Sequence, residues 1–89
     1  MAGYLPYISN QGTSEKDFNN IFNEGKYLFA TAVDGYSNIP NVISLEGILI
    51  VVQSSSKLNC FQIYIGLQDK SFHFRTCYNG AWNSWKKIV

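Results

Sequence analysis

Apolar residues follow two different periods along this chain. Between Ser14 and Asn23 they fall at Phe18, Ile21 and Phe22, the i, i+3, i+4 spacing of one helix face. Ser14 followed three residues later by Asp17 is a start cue for that helix, and Glu15 and Asp17 suit its positive end. Gly25 marks its stop. After Gly25 the period drops to two. Lys26–Val33 reads as a strand, Asp34-Gly35 as a turn, and Tyr36–Asn41, with Pro40, as a surface loop. Gly47–Gln53 is a near-continuous Ile, Leu and Val run, the pattern of a strand covered on both faces. Three serines, Ser54 to Ser56, form a polar turn. Strands then follow over Leu58–Gly66, Ser71–Tyr78 and Ala81–Val89. Asn79-Gly80 between the last two is a strong two-residue hairpin signal.

The predicted fold is mostly β (α+β): an antiparallel β-meander of about five strands with one short N-terminal helix packed on a face. Short turns between strands force antiparallel neighbours. Residues 1–13 read as an extended lead-in and 14–89 as a single domain, with no internal repeat.

A two-residue turn fixes which side chains share a face. It sets Tyr78 opposite Ala81 and Cys77 opposite Trp82, and an unbroken ladder continues with Arg75–Ser84, Phe74–Trp85 and His73–Lys86. Matching apolar to apolar then puts Phe61, Ile63, Ile65, Phe72, Phe74 and Trp85 on a core face, joined by Phe18 and Phe22 from the helix. The opposite face gathers Tyr64, Gln62, His73, Arg75, Trp82 and Tyr78. Two readings of that mixed face stay open. It is either a solvated face, or one lined by the N-terminal segment, or it is a recognition surface. Indole and phenol rings beside guanidinium and amide groups suit both sugars and protein partners.

Composition narrows the function. The chain has 89 residues, net charge +1, 15% charged, 46% hydrophobic and 16% aromatic residues. That balance offers no electrostatic footprint for nucleic acid and no polybasic membrane patch. The longest apolar run, Ile48–Val52, is far below the roughly 20 residues that span a bilayer. No basic segment followed by an apolar stretch opens the chain, so no signal peptide is expected. Cys60 and Cys77 lack metal-motif spacing and fall on one face of neighbouring strands, where two reduced, packed thiols are the expected outcome and a cross-strand disulfide is the alternative. The lone His73 has no partner at metal-ligand spacing, so no metal or cofactor is expected. The six acidic residues sit mostly at turns or helix ends, and neither Glu46 with Asp69 nor His73 with a nucleophile forms a catalytic constellation. The expectation is a non-enzymatic domain.

The segment Phe72-His73-Phe74-Arg75-Thr76-Cys77-Tyr78-Asn79-Gly80-Ala81-Trp82-Asn83-Ser84-Trp85-Lys86-Lys87-Ile88 resembles the closing hairpin of phage tail-fibre tip domains of the pyocin-knob type. There, an aromatic-x-Arg strand leads through a turn to Trp-x-x-Trp and a basic residue. Upstream, Asp17-Phe18-Asn19-Asn20 before Gly25-Lys26-Tyr27, Asn38-Ile39-Pro40, Gly47-Ile48-Leu49 and Phe61-Gln62-Ile63-Tyr64 resemble the family's successive elements, in order. The loop after the first strand is shorter here than the family's Gly-rich one. The resemblance implies a host-recognition module at the end of a trimeric fibre in a phage, prophage or tailocin particle, assembled in the reducing cytoplasm of a bacterial host. Its expected partners are a host-surface glycan or other receptor and two further copies of the chain. In that reading Trp82 and Tyr64 are stacking platforms, with Arg75, Gln62, His73 and Tyr78 beside them. The alternative is a structural trimerisation or capping module whose aromatic face is the subunit interface. A small glycan hydrolase or lyase fragment is the third.

Overall fold

A computed structural model of the chain describes residues 10–11 and 13–88. Most of the expected lead-in, and Val89, lie outside the described residues. Four long strands build the sheet: β2 (Gly25–Thr31), β3 (Leu45–Ser56), β4 (Asn59–Gly66) and β5 (Ser71–Tyr78). They run as an antiparallel meander in chain order. The last predicted strand is broken into β6 (Ala81–Trp82) and β7 (Lys86–Lys87), both paired with β5. At the opposite edge β1 (Asn10–Gln11) pairs with β2 in parallel, the exception to the antiparallel rule.

The Asn79–Gly80 turn is where side-chain chemistry puts it, whereas Ser54–Ser56, expected as a polar turn, continue β3 and the chain turns at Lys57–Leu58. Asn79 and Gly80 have φ of 52° and 82°, both left-handed, as a tight hairpin turn matched to the strand twist requires. Gln62↔Arg75, Tyr64↔His73 and Cys60↔Cys77 are direct cross-strand partners. Cys77↔Trp82 and Tyr78↔Ala81 follow the expected hairpin register. Beyond Trp82 the register slips by one residue: Phe74 faces Lys86 and His73 faces Lys87. The extra residue in Asn83–Trp85 is a bulge, and it turns Trp85 onto the face of Arg75 rather than that of Phe74.

The predicted helix over Ser14–Asn23 shrinks to one 3₁₀ turn, Phe18–Asn20, capped by the Asp17 carboxylate, which accepts from the Asn19 amide. The reason lies in the sheet. The carbonyls of Phe18 and Ile21 accept from the Gln62 side-chain amide, at 2.8 and 3.1 Å. A segment this short gains little as an isolated helix, so tertiary bonds decide its form.

The segments Thr13–Glu24 and Ala32–Ser44 both cross one face of the sheet. Phe18, Ile21, Tyr27, Phe29, Leu45, Leu49, Val51 and Tyr64 form the core there, with Val33, Tyr36, Ile39, Val42 and Trp85 packed around it. This corrects the expected sorting of the faces. Gln62 and Tyr64 are fully buried and His73 and Arg75 nearly so, whereas Phe61, Ile63, Ile65, Phe72 and Phe74 stand on the other face. Phe22, also assigned to the core, lies outside it, under the Lys57 ammonium.

That other face carries two rows read straight from the register. One is Leu28, Ile48, Ile65 and Phe72. The other is Lys26, Ile50, Ile63, Phe74 and Lys86. Val52 and Phe61 start a third row that ends in Thr76. On this face Leu28 and Phe72 are exposed, and Ile48, Ile50, Phe61, Ile63, Ile65 and Phe74 are half-buried.

Candidate functional site

Arg75 is the centre of the polar arrangement. It sits on β5 between two indoles, its guanidinium carbon 4.1 Å from the Trp82 ring centre and 4.7 Å from that of Trp85. Its Nε donates to Gln62 Oε1 at 2.9 Å, and its Nη1 donates to Asn19 Oδ1 at 2.8 Å. Its Nη2 is buried and has no partner among the described residues. Burial pushes the guanidinium down to about 10, opposed by the charge of Asp17.

Each neighbour is itself held. Trp82 Nε1 donates to the Asn19 carbonyl at 3.0 Å and Trp85 Nε1 to the Asn38 carbonyl at 2.9 Å. Asn38, in the left-handed region at φ 57°, donates its side-chain amide to Asp17 at 2.7 Å. That bond, with the Asn19 amide and the Arg75 charge, holds the Asp17 carboxyl below the usual carboxylate range. The two segments that cover the sheet are thus pinned to it through one cluster of amides, indoles and a guanidinium. A cation between two aromatic faces contributes roughly 0.5–2 kcal/mol per face, more as water is excluded.

Over this cluster opens a cleft of about 370 Å³, walled by Trp82 and Trp85, with Asn38, Asn83 and Ser84 exposed at its mouth and Arg75 at its floor. A second hollow, of about 340 Å³, lies at the far end of β5 between Asn41, Asp69, His73 and Lys87. There Ser71 Oγ and His73 Nε2 lie 2.9 Å apart, both groups buried. Burial, then the Lys87 charge, depresses the His73 imidazole below 6.5. Asp69 is engaged elsewhere, accepting from the Ile43 amide at 2.9 Å. No group of three or more His, Cys, Asp or Glu side chains among the described residues could hold a metal ion.

Of the six expected ligand residues, the structure brings Trp82, Arg75 and Gln62 together. Tyr64 and His73 share their face but lie further along the strands. Tyr64 is sealed in, its phenol pushed up to about 12 by burial, with its hydroxyl 3.5 Å from the Ser44 carbonyl. Tyr78 is 71% exposed, past the end of the cluster. The reading missed Asn19, Asn38 and Trp85. Only Trp85 carried a visible signal, its spacing of three from Trp82. Asn19 comes from the 3₁₀ turn and Asn38 from a loop, and the pattern specified the course of neither over the sheet.

No family model and no curated protein matches this chain. Two solved structures do. A C-terminal fragment of the P. aeruginosa R1 pyocin fibre superposes with a TM-score of 0.72 at 26% identity, over 97% of this chain and 22% of that one. An N-truncated R2-type pyocin tail fibre superposes with a TM-score of 0.75 at 17% identity, over 97% of this chain and 34% of that one. The chain spans only a fifth to a third of the fibre fragments it matches. The likeness seen in the closing hairpin therefore extends over nearly the whole chain, and the domain has the fold of these pyocin tail-fibre fragments.

Proposed function

We propose that this domain forms part of the tip of a phage, prophage or tailocin tail fibre and contributes, without catalysis, to attachment at the host cell surface. The observation that carries the reading is the match of 97% of the chain to the C-terminal part of a pyocin fibre. The receptor chemistry that fits is a glycan, and the place is the cleft between Trp82 and Trp85. The indoles offer ring surface on which sugar C–H groups stack, and Asn38, Asn83 and Ser84 offer amide and hydroxyl partners. Arg75 lies beneath as the cationic floor. Gln62, Tyr64 and His73 keep the sheet and its cover in register, and so act on a ligand through the frame. The fibre is a homotrimer assembled in the bacterial host cytoplasm and carried on the particle.

The test is binding of labelled protein to a glycan array and to host cells, comparing wild type with Asn83→Ala/Ser84→Ala. Both residues are exposed, so the fold is expected to survive, as circular dichroism would show. A loss of cell binding supports the cleft. Unchanged binding by the folded double variant removes the glycan assignment from this cleft.

A further inference from the structure

We propose that the cleft at Trp82 and Trp85 takes an acidic sugar, a ring bearing a carboxylate, and that this carboxylate bonds to Arg75 Nη2. The ligand class rests on the attachment reading above, whose site it specifies.

The first ground is the donor count. A guanidinium carries five N–H donors. In Arg75 the Nε donor is taken by Gln62 Oε1 and one Nη1 donor by Asn19 Oδ1, while Nη2 has no acceptor among the described residues. Arg75 is 4% exposed and Nη2 itself is buried, so bulk water does not replace the missing bond. A buried charged donor left unpaired costs free energy that an incoming acceptor restores. Arg75 lines the floor of an open cleft, so the acceptor has a place to come from.

The second ground is charge. Both side chains bonded to the guanidinium, Gln62 and Asn19, are neutral amides. Asp17, whose charge reaches Arg75, turns its Oδ1 to the Asn38 side chain and the Asn19 backbone amide instead. A buried cation bonded to neutral groups gains more from an ionised acceptor than from a hydroxyl. Lys86 is exposed in the adjoining hollow, which Arg75 and Trp85 also line, and adds charge of the same sign. Near neutral pH the guanidinium is protonated and a sugar carboxylate ionised.

The third ground is shape. Trp82 and Trp85 lie against the guanidinium, their ring centres 4.1 and 4.7 Å from its carbon. A new partner therefore comes to its edge, where the N–H groups point. A planar carboxylate meets that edge in plane, whereas a phosphate tetrahedron is too thick to lie flat between two rings. Because Nη2 is enclosed, the carboxylate enters by displacing part of the mouth. Asn83–Trp85 stand outside the strand pairing. Within that bulge Asn83 is tied to Thr76 through its backbone and side-chain amides. Exposed Ser84 is the group that gives way.

The experiment is an NMR titration of wild type with glucuronic, galacturonic and sialic acids, each beside its own methyl ester. The signals followed are the indole N–H groups of Trp82 and Trp85 and the guanidinium N–H groups of Arg75. At least one acid is expected to shift all three sets and to bind at least about tenfold more tightly than its ester. Because the ligand is varied and not the protein, no outcome depends on a buried variant folding. A glucose phosphate ester and N-acetylglutamate are expected to bind at least about tenfold more weakly than that acid. A match by the first overturns the choice of carboxylate, and by the second the choice of sugar. Equal binding of acids and esters, or no response to any acid at millimolar concentration, overturns the proposal. Binding of the same protein to host cells separates this from the attachment reading. Cells bound without any response to the acids refute the carboxylate and leave attachment standing. A response to an acid by a protein that binds no cells upholds the site and refutes attachment.

Discussion

Gln62→Met is the sharpest perturbation of the interior. Gln62 is fully buried and makes three hydrogen bonds: two donated to the carbonyls of Phe18 and Ile21, one accepted from Arg75 Nε. Methionine fills nearly the same volume, and a volume-conserving apolar swap alone costs less than about 1.5 kcal/mol. Here it leaves the Ile21 carbonyl and one guanidinium N–H without their Gln62 partner, and takes one of two donors from the Phe18 carbonyl. Each such orphan costs about 1–3 kcal/mol, and a charged one more. Since Phe18 O also accepts from the Ile21 amide, a total of about 3–5 kcal/mol is expected. An 89-residue domain holds on the order of 5–13 kcal/mol in all. At about 4–8 °C per kcal/mol, Tm is expected to fall by roughly 12–40 °C. The assay is thermal and urea unfolding followed by circular dichroism, at matched protein concentration because association shifts apparent stability. Adding Arg75→Met to Gln62→Met removes the stranded buried cation, so the double variant is expected to be at least as stable as Gln62→Met alone. A loss below about 1.5 kcal/mol for Gln62→Met, or strictly additive losses in the pair, would show that the cluster is not what fastens the covering turn.

Two glycines separate packing from backbone strain. A Cβ on Gly47 meets the Ile65 carbonyl and comes within 2.9 Å of the Tyr64 hydroxyl, so Gly47→Ala is expected to cost at least about 3 kcal/mol by urea unfolding. Gly80→Ala has room, with Leu58 Cδ2 at 3.5 Å, and is expected to cost only about 1 kcal/mol for its left-handed φ of 82°. His73 sets an acid limit. Its folded pKa lies below 6.5, so between that value and 6.5 the unfolded chain binds a proton that the folded one does not. Its contribution is therefore complete above pH 6.5 and lost as the pH falls through the depressed value. His73→Gln is expected to flatten the stability profile in that window, and an unchanged slope would refute the assignment. Cys60 and Cys77, buried cross-strand partners, are free, and burial pushes the Cys60 thiol up to about 11. A thiol reagent at pH 8 is expected to find two thiols per chain after unfolding without reductant, and to react with the folded protein only at its opening rate.

Strand positions were legible because local chemistry fixes them. Asn79-Gly80 dictates a two-residue hairpin, and from it the pairing of Cys77 with Trp82 follows without knowledge of the rest. Ser71–Tyr78 matches the predicted bounds for the same reason. The ladder beyond Trp82 was not legible, because nothing in Asn83-Ser84 announces an extra residue. That single insertion carries Trp85 from the expected Phe74 face to Arg75. The short helix failed for a different reason. Its periodicity was real, since Phe18 and Ile21 are both buried, but a residue far along the chain, Gln62, takes the carbonyls that a helix would use.

The inversion of the two faces has a physical cause more general than a misplaced residue. Parity can sort side chains into two sets, but hydropathy names the inner set only when a sheet has one dry face. This sheet has a face closed by its own loops, and those loops carry backbone carbonyls and amides that need partners. Gln62 and Arg75 supply them, so polar residues belong inside. The opposite face carries Ile48, Ile50, Ile63, Ile65, Phe72 and Phe74, which is why hydropathy alone names it the inner one. A charged fraction of 15% in so short a chain leaves polar side chains to be drawn from the neutral and buried residues. The interior takes up polar side chains that would otherwise be surface. The same division explains why the Arg75 cluster borders an open cleft: it is where the closed face ends and the bulge at Asn83–Trp85 lifts the last strand away. On the proposed reading, recognition and the fastening of the fold share residues, so a variant that abolishes binding at Trp82 or Arg75 is informative only beside its unfolding curve, whereas one at Asn83 or Ser84 tests the proposed site directly.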